Sequence, residues 1–125
     1  GRMLIQAITV PDHHYDKHRR TVDFIQQDIF PGSCIPSMAA MRGAMSRTTD
    51  LELVEIFDIT PHYAETLRRW RAAFMSRLDE VRALGLPDDF IRMWEYYLAY
   101  TEAGFEERVT GDVQMLFTRP AGGMR

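Results

Sequence analysis

The hydrophobic positions of this chain change period several times, and each change predicts an element. Met3-Leu4-Ile5-Gln6-Ala7-Ile8-Thr9-Val10 is nearly all apolar and ends at Pro11-Asp12. A short continuous run of this kind predicts a strand over 3–10 buried on both faces, as in a parallel sheet. Such a strand needs a neighbour on each side, and downstream sequence can supply only one. The expectation is therefore a fragment of a larger domain. Residues 12–21 are charged and predict a solvated loop or short helix. Val22 to Ile29 is weakly helical, with Phe24, Ile25 and Ile29 on one side. Phe30-Pro31-Gly32-Ser33 predicts a turn. Pro36-Ser37 opens a helix to about Arg47, with proline at an early helical position.

Leu51-Glu52-Leu53-Val54-Glu55-Ile56-Phe57 alternates and predicts a half-buried strand over 51–57. Thr60-Pro61 is a helix start. Tyr63, Leu67, Trp70, Phe74, Leu78 and Val81 then recur every three or four positions, predicting one amphipathic helix of about six turns that Gly85 stops. Pro87-Asp88-Asp89 begins a second helix, with acids where the dipole favours them. Phe90, Trp94, Tyr97 and Phe105 mark its inner face. Gly111 breaks the chain before a last strand over 112–118, and the tail Pro120-Ala121-Gly122-Gly123 reads as frayed. No repeat and no domain boundary interrupts residues 1–125. The order is strand, helices, strand, two long helices, strand, which predicts an α/β sheet carrying a helical insert.

Composition narrows the classes. Hydrophobic residues make up 46% of the chain, enough for a core, and the formal net charge of −3 argues against a nucleic-acid partner. No apolar run reaches the roughly 18 residues of a membrane-spanning helix. The opening Gly1-Arg2-Met3-Leu4-Ile5 turns polar too soon for a secretory signal. Cys34 is the only cysteine, so no internal disulfide forms, and a reducing, cytoplasmic location is expected.

Several stretches together resemble the cyclopropane-fatty-acyl-phospholipid (mycolic acid cyclopropane) synthases. Asp28-Ile29-Phe30-Pro31-Gly32-Ser33-Cys34-Ile35-Pro36-Ser37 is similar to that family's "YIFPGGxLPS". Pro61-His62-Tyr63-Ala64-Glu65-Thr66-Leu67-Arg68-Arg69-Trp70 is similar to "xxYxxTLxxW", and Phe90-Ile91-Arg92-Met93-Trp94-Glu95-Tyr96-Tyr97-Leu98, followed by Gly104-Phe105, to "FxRMWxYYL…GF". Asp112-Val113-Gln114 resembles the last strand. The resemblance implies the C-terminal part of a class I methyltransferase, Rossmann-like fold, with 3–10 as its fifth strand, lid and linker helices over 12–47, 51–57 as the sixth, a helical insert over 61–108 and 112–118 as a reversed seventh. It also implies S-adenosylmethionine as cofactor, bound by an absent N-terminal half. No G-x-G-x-x-G occurs here. A chain of this extent is then expected to be inactive alone.

The family reaction joins a cis double bond to a sulfonium methyl group. The resulting cation on the acyl chain loses a methyl proton and closes a ring. Such a site excludes water, and the resemblance implies a bound bicarbonate as base. Positions matching that bicarbonate site are Gln6, Ile8 and Tyr63. Histidine is the better-known residue where Gln6 stands. Glutamine carries neither proton nor charge, which points to weaker bicarbonate binding or to a methyl-branched product. Trp70, Phe74, Trp94 and Tyr97 would line an acyl funnel.

Read from the residues alone, Gln6 satisfies backbone groups in a buried strand, Tyr63 is a core tyrosine, and the aromatics are core. His14 and His18 have a zinc-compatible spacing, but Tyr15 follows His14 and no H-E-x-x-H exists, so a solvated loop is expected. Cys34 reads as a small buried hydrophobe. Arg68, Arg69 and Arg71 form a basic patch, either a solvated face or a contact for anionic headgroups. The expected substrate is an unsaturated phospholipid acyl chain met by peripheral membrane contact. A homodimer or swapped assembly is expected to cover 3–10. Two rival functions stand beside this one: a methyltransferase of the same fold for another hydrophobic substrate, and a non-catalytic helical dimerisation module.

Overall fold

A computed structural model describes residues 1–120; the expected fraying of 121–123 lies outside the described residues. The chain runs β1 (Arg2–Thr9), α1 (Asp12–His18), a π-helical turn (Ile25–Ile29), α2 (Met38–Thr48), β2 (Glu52–Asp58), α3 (Thr60–Met75), α4 (Leu78–Ala83), α5 (Asp88–Glu106) and β3 (Gly111–Thr118). The three strands form one sheet in the order β1-β3-β2. Both outer strands pair antiparallel with β3. This is the α/β arrangement expected, with the last strand reversed between the other two.

The expected burial of β1 on both faces is not found. Its residues alternate, and Leu4 is 61% exposed. Among the described residues β1 has a strand partner on one side only. In an antiparallel sheet with one covered face, alternate side chains stay open. β2 is also more exposed than a half-buried strand, with Val54, Ile56 and Phe57 about half exposed. A bulge between Leu53 and Glu55 shifts its register and breaks the alternation.

The single long helix expected from Tyr63 to Val81 is two. Ser76 caps α3, its hydroxyl donating back to the Ala73 carbonyl, and Arg77 leaves helical geometry at φ −124°, ψ 29° before α4 begins. A serine hydroxyl that satisfies a local carbonyl offers the backbone an alternative to the helix. Gly85, at φ +81°, ends α4 as the sequence predicts. The turn after Phe30 is real: the Ser33 N–H donates to the Phe30 carbonyl at 3.1 Å, with Pro31 and Gly32 between and Gly32 at φ +80°. A type II turn asks for that pair. Pro36 lies just outside α2, whose cap is Ser37; its hydroxyl accepts the Ala40 N–H at 3.2 Å. The break before β3 falls at Arg108, which takes φ +54°, rather than at Gly111, the strand's first residue.

Helices α3 and α5 pack side by side and close over one end of the sheet. Ala64, Leu67, Leu98 and Phe105 are their buried core, with Ile8, Tyr63, Phe74, Trp94 and Tyr97 against it. The basic patch is neutralised at this seam. Arg68 pairs with Glu65, Glu102 and Glu106, Arg69 with Glu65, and Arg71 with Glu102. Cations already matched by acids on their own and the neighbouring helix do not present a free positive surface. No helix among the described residues is long and apolar enough to cross a membrane.

Asp58 anchors the start of α3. Its carboxylate accepts the Thr60 N–H at 3.0 Å and a bond from Arg108 at 2.8 Å. The Thr60 and Arg108 bonds pull its pKa from 3.8 to about 2. A lowered carboxylate pKa stabilises the fold above the unfolded value, and that stability is lost as pH falls through the folded value. Unfolding free energy is therefore expected to decline from pH 3.8 towards about 2 through this group, and Asp58→Asn to flatten that part of the profile, read by chemical denaturation across the range. Leu67→Ala, at a position 1% exposed, is expected to cost about 2–5 kcal/mol in the same measurement at neutral pH.

Candidate functional site

The register of β1 on β3 sets Gln6 opposite Gln114 and Ile8 opposite Asp112. Opposed residues of an antiparallel pair point to the same face, so these four share one side of the sheet. The Gln6 amide nitrogen donates to Asp112 Oδ2 at 3.0 Å, and the Gln114 amide nitrogen donates to Gln6 Oε1 at 3.3 Å. Gln6 is thus held at both ends of its amide. It is exposed, so it does not merely satisfy a buried backbone.

Asp112 is completely buried. Its N–H donates to Thr60 Oγ1 at 3.0 Å, and its carbonyl accepts the Ile59 N–H at 2.9 Å. Its Oδ1 is buried with no hydrogen-bond partner among the described residues. Burial pushes its carboxyl pKa up, while the Gln6 bond opposes this. Tyr63, one turn into α3, stands over the same end of the sheet. Its ring lies 4.7 Å from that of Phe105 and its phenol pKa is raised, first by burial and then by the charge of Asp112. Tyr97 on α5 is raised by burial and by its proximity to Tyr63. Gln114, Gln6 and Asp112 therefore form one hydrogen-bonded row on this sheet face, with Tyr63 over the same end.

Of the expected site residues, Gln6 and Ile8 share one sheet face, and Ile8 and Tyr63 pack against the same core. Phe74, Trp94 and Tyr97 are half-buried against the helix core. Trp94 lies 5.7 Å from Phe90 and 4.9 Å from Tyr97, which meets Phe30 edge-on at 6.1 Å. Trp70 does not join them; it is 54% exposed and outside the cluster, because the inward stripe of α3 passes through Ala64, Leu67 and Phe74. Cys34 is exposed, not buried. His18 Nε2 accepts the Ile35 N–H at 3.3 Å, a loop-bracing role. Asp112 was not singled out from the sequence. Its signal was available, since a carboxylate opening an apolar strand requires a partner.

Of the positions implied for a bicarbonate site, this chain contains Gln6, Ile8 and Tyr63. Gln6 spends one amide N–H on Asp112 and accepts one bond from Gln114, and its second N–H stays open. Asp12 and Asp58 line a cleft of about 310 Å³ on the opposite sheet face; Asp12 Oδ1 accepts the Ala39 N–H, and Asp58 is bonded to Thr60 and Arg108.

The sequence model of the mycolic acid cyclopropane synthetase family matches residues 1–115. Tuberculostearic acid methyltransferase of Mycobacterium tuberculosis is 49% identical over 105 residues, covering 84% of this chain and 25% of that protein. A probable fatty acid methyltransferase of Pseudomonas putida is 29% identical over 98 residues, 78% of this chain and 24% of that protein. The solved structure of mycolic acid cyclopropane synthase CmaA1 complexed with SAH and CTAB superimposes with a TM-score of 0.80 at 25% identity, over 94% of this chain and 44% of that one. The chain spans about a quarter of the length of these curated relatives.

Replacing Gln6 by leucine removes the side-chain donor of Asp112 Oδ2, and Oδ1 has none to begin with. Gln6→Leu is expected to raise the Asp112 pKa further, read by carboxyl NMR, and to cost about 1–3 kcal/mol of stability.

Proposed function

This chain belongs to the mycolic acid cyclopropane synthetase family, and we propose that its residues form the acyl-chain side of an S-adenosylmethionine-dependent transferase that methylates or methylenates cis double bonds of phospholipid acyl chains. The observation that carries this reading is the aromatic wall of Tyr63, Phe74, Trp94 and Tyr97, packed on an apolar core and ending at the Gln6–Asp112 pair. A long apolar chain lies against such a wall, and the polar end meets its reacting carbons. The names of the relatives point the same way, since they act on fatty or mycolic acids.

The sulfonium cofactor supplies the methyl group, and we place its binding outside the residues described here. This chain's own residues do three things. The helix seam excludes water from a cationic acyl chain. The aromatic faces favour positive charge beside them. Tyr63, Gln6 and Asp112 hold the proton-handling groups in place. A neutral Gln6 and a relative named for tuberculostearic acid favour a methyl-branched product over a ring. Contact with the membrane would be peripheral, through lipids presented to this seam.

The complete gene product, given S-adenosylmethionine and vesicles of cis-unsaturated phospholipid, is expected to yield acyl chains one methylene heavier, resolved as ring or branch by NMR. Failure to modify any acyl lipid, with the cofactor bound, contradicts the reading. Tyr97→Ala is expected to raise the KM for lipid about tenfold with a smaller effect on kcat, the pattern of a lost binding contact.

A further inference from the structure

We propose that Asp112 is a positioning residue: its buried carboxylate fixes the Gln6 side-chain amide in one orientation, so that the Gln6 N–H not spent on Asp112 is presented as a donor to a small oxyanion of the bicarbonate class. The inference rests on the acyl methyl-transfer reading above and adds to it the residues, Asp112 and Gln114, that set how Gln6 meets its ligand. Three observations carry it.

The first is a fixed post. Asp112 is 0% exposed, its N–H donates to Thr60 Oγ1 at 3.0 Å, and its carbonyl accepts the Ile59 N–H at 2.9 Å. Its side chain therefore projects from backbone that is tied to the start of α3. The second is direction. An ionised carboxylate only accepts hydrogen bonds, whereas an amide has a donor end and an acceptor end. Asp112 Oδ2 takes a Gln6 N–H at 3.0 Å, and the Gln114 amide nitrogen donates to Gln6 Oε1 at 3.3 Å. Both neighbours select the same orientation, since the reversed amide would set its oxygen against the carboxylate. The Gln6 bond in turn lowers the Asp112 pKa against the upward push of burial, which favours the accepting form. The third is what is left over. The second Gln6 N–H is bonded to nothing among the described residues, and Gln6 is exposed on the sheet face that it shares with Ile8. A donor held at a fixed angle on an open face fits the acceptor oxygen of a small planar anion.

Asp112 acts here through Gln6 alone, and no covalent bond forms or breaks. An amide oriented before the ligand arrives does not lose rotamer freedom on binding it. Glutamine has no charge with which to hold an anion, so the placing of its one open donor decides how well it binds. With asparagine at 112 the neighbour offers either an oxygen or an N–H, the Gln6 amide turns either way, and its open N–H no longer lies in one place.

The complete gene product, isotopically labelled at glutamine side-chain nitrogen, is titrated with sodium bicarbonate against sodium chloride of equal ionic strength. The Gln6 amide signals are identified by NMR from their loss in Gln6→Leu. In the wild type one Gln6 N–H proton is expected to stay fixed and exchange slowly with water, and the other to shift as bicarbonate is added. Asp112→Asn is expected to lose that difference between the two protons. In a transfer assay with S-adenosylmethionine and dioleoylphosphatidylglycerol vesicles, it is expected to need about tenfold more bicarbonate for half-maximal rate, with kcat within about threefold of wild type. A merely structural role would lower stability and kcat and leave the bicarbonate requirement where it was. A wild type in which neither proton shifts, or an Asp112→Asn variant with an unchanged bicarbonate requirement, overturns the proposal. If that variant does not fold, the wild-type titration decides alone. A wild type that transfers no methyl group at any bicarbonate concentration overturns the methyl-transfer reading, whereas the NMR titration, which needs no turnover, still decides the Asp112–Gln6 arrangement.

Discussion

One residue joins the parts of this fold. Asp112, at the start of β3, binds the beginning of α3 through both backbone groups and β1 through its side chain. A carboxylate this deeply buried is tolerated only where the surroundings supply hydrogen bonds. Three elements therefore converge within one residue's reach. Gly111 beside it makes the approach possible, since a Cβ there would meet the hydroxyls of Thr9 and Thr60 at 3.3 Å. Where α3 begins is thereby fixed, and with it the place of Tyr63 one turn later.

The helix pair depends on that start. Leu67, Leu98 and Phe105 seal the seam between α3 and α5, and the Arg68 cluster with Glu102 and Glu106 clasps its rim. Exposed ion pairs of this type contribute little each, so the apolar core holds the pair and the charges set its register. The aromatics from Phe90 to Tyr97 then present one continuous wall instead of scattered rings. Packing gathers these rings on one side of the helix pair.

Much of this was legible in the sequence. The three strands, the helix starts at Thr60 and Asp88 and the turn at Gly32 follow from local chemistry that the fold keeps. The motif resemblance groups Gln6, Ile8 and Tyr63, and of these Ile8 and Tyr63 pack against the same core. Local periodicity could not tell that Trp70 leaves the stripe, because Trp70, seven residues after Tyr63, lies only about 20° round the helix from it, and the neighbouring helix chooses the face. Nor could it find the break at Ser76, which a side-chain hydrogen bond creates inside an otherwise helical pattern. β1 read as doubly buried because its composition is apolar, yet burial depends on what covers each face. Asp112 escaped notice because its importance lies in a pairing with Gln6 across 106 positions.

The central claim is that Asp112, by fixing where α3 begins, places Tyr63 near its carboxylate. Titrating the Tyr63 phenol by NMR or ultraviolet difference in the wild type and in Asp112→Asn tests it most directly. A phenol raised above 10.0 by burial and by the Asp112 charge is expected to move down when that charge is removed. A Tyr63 titration identical in the two proteins would show that the residues do not communicate, and would contradict the account.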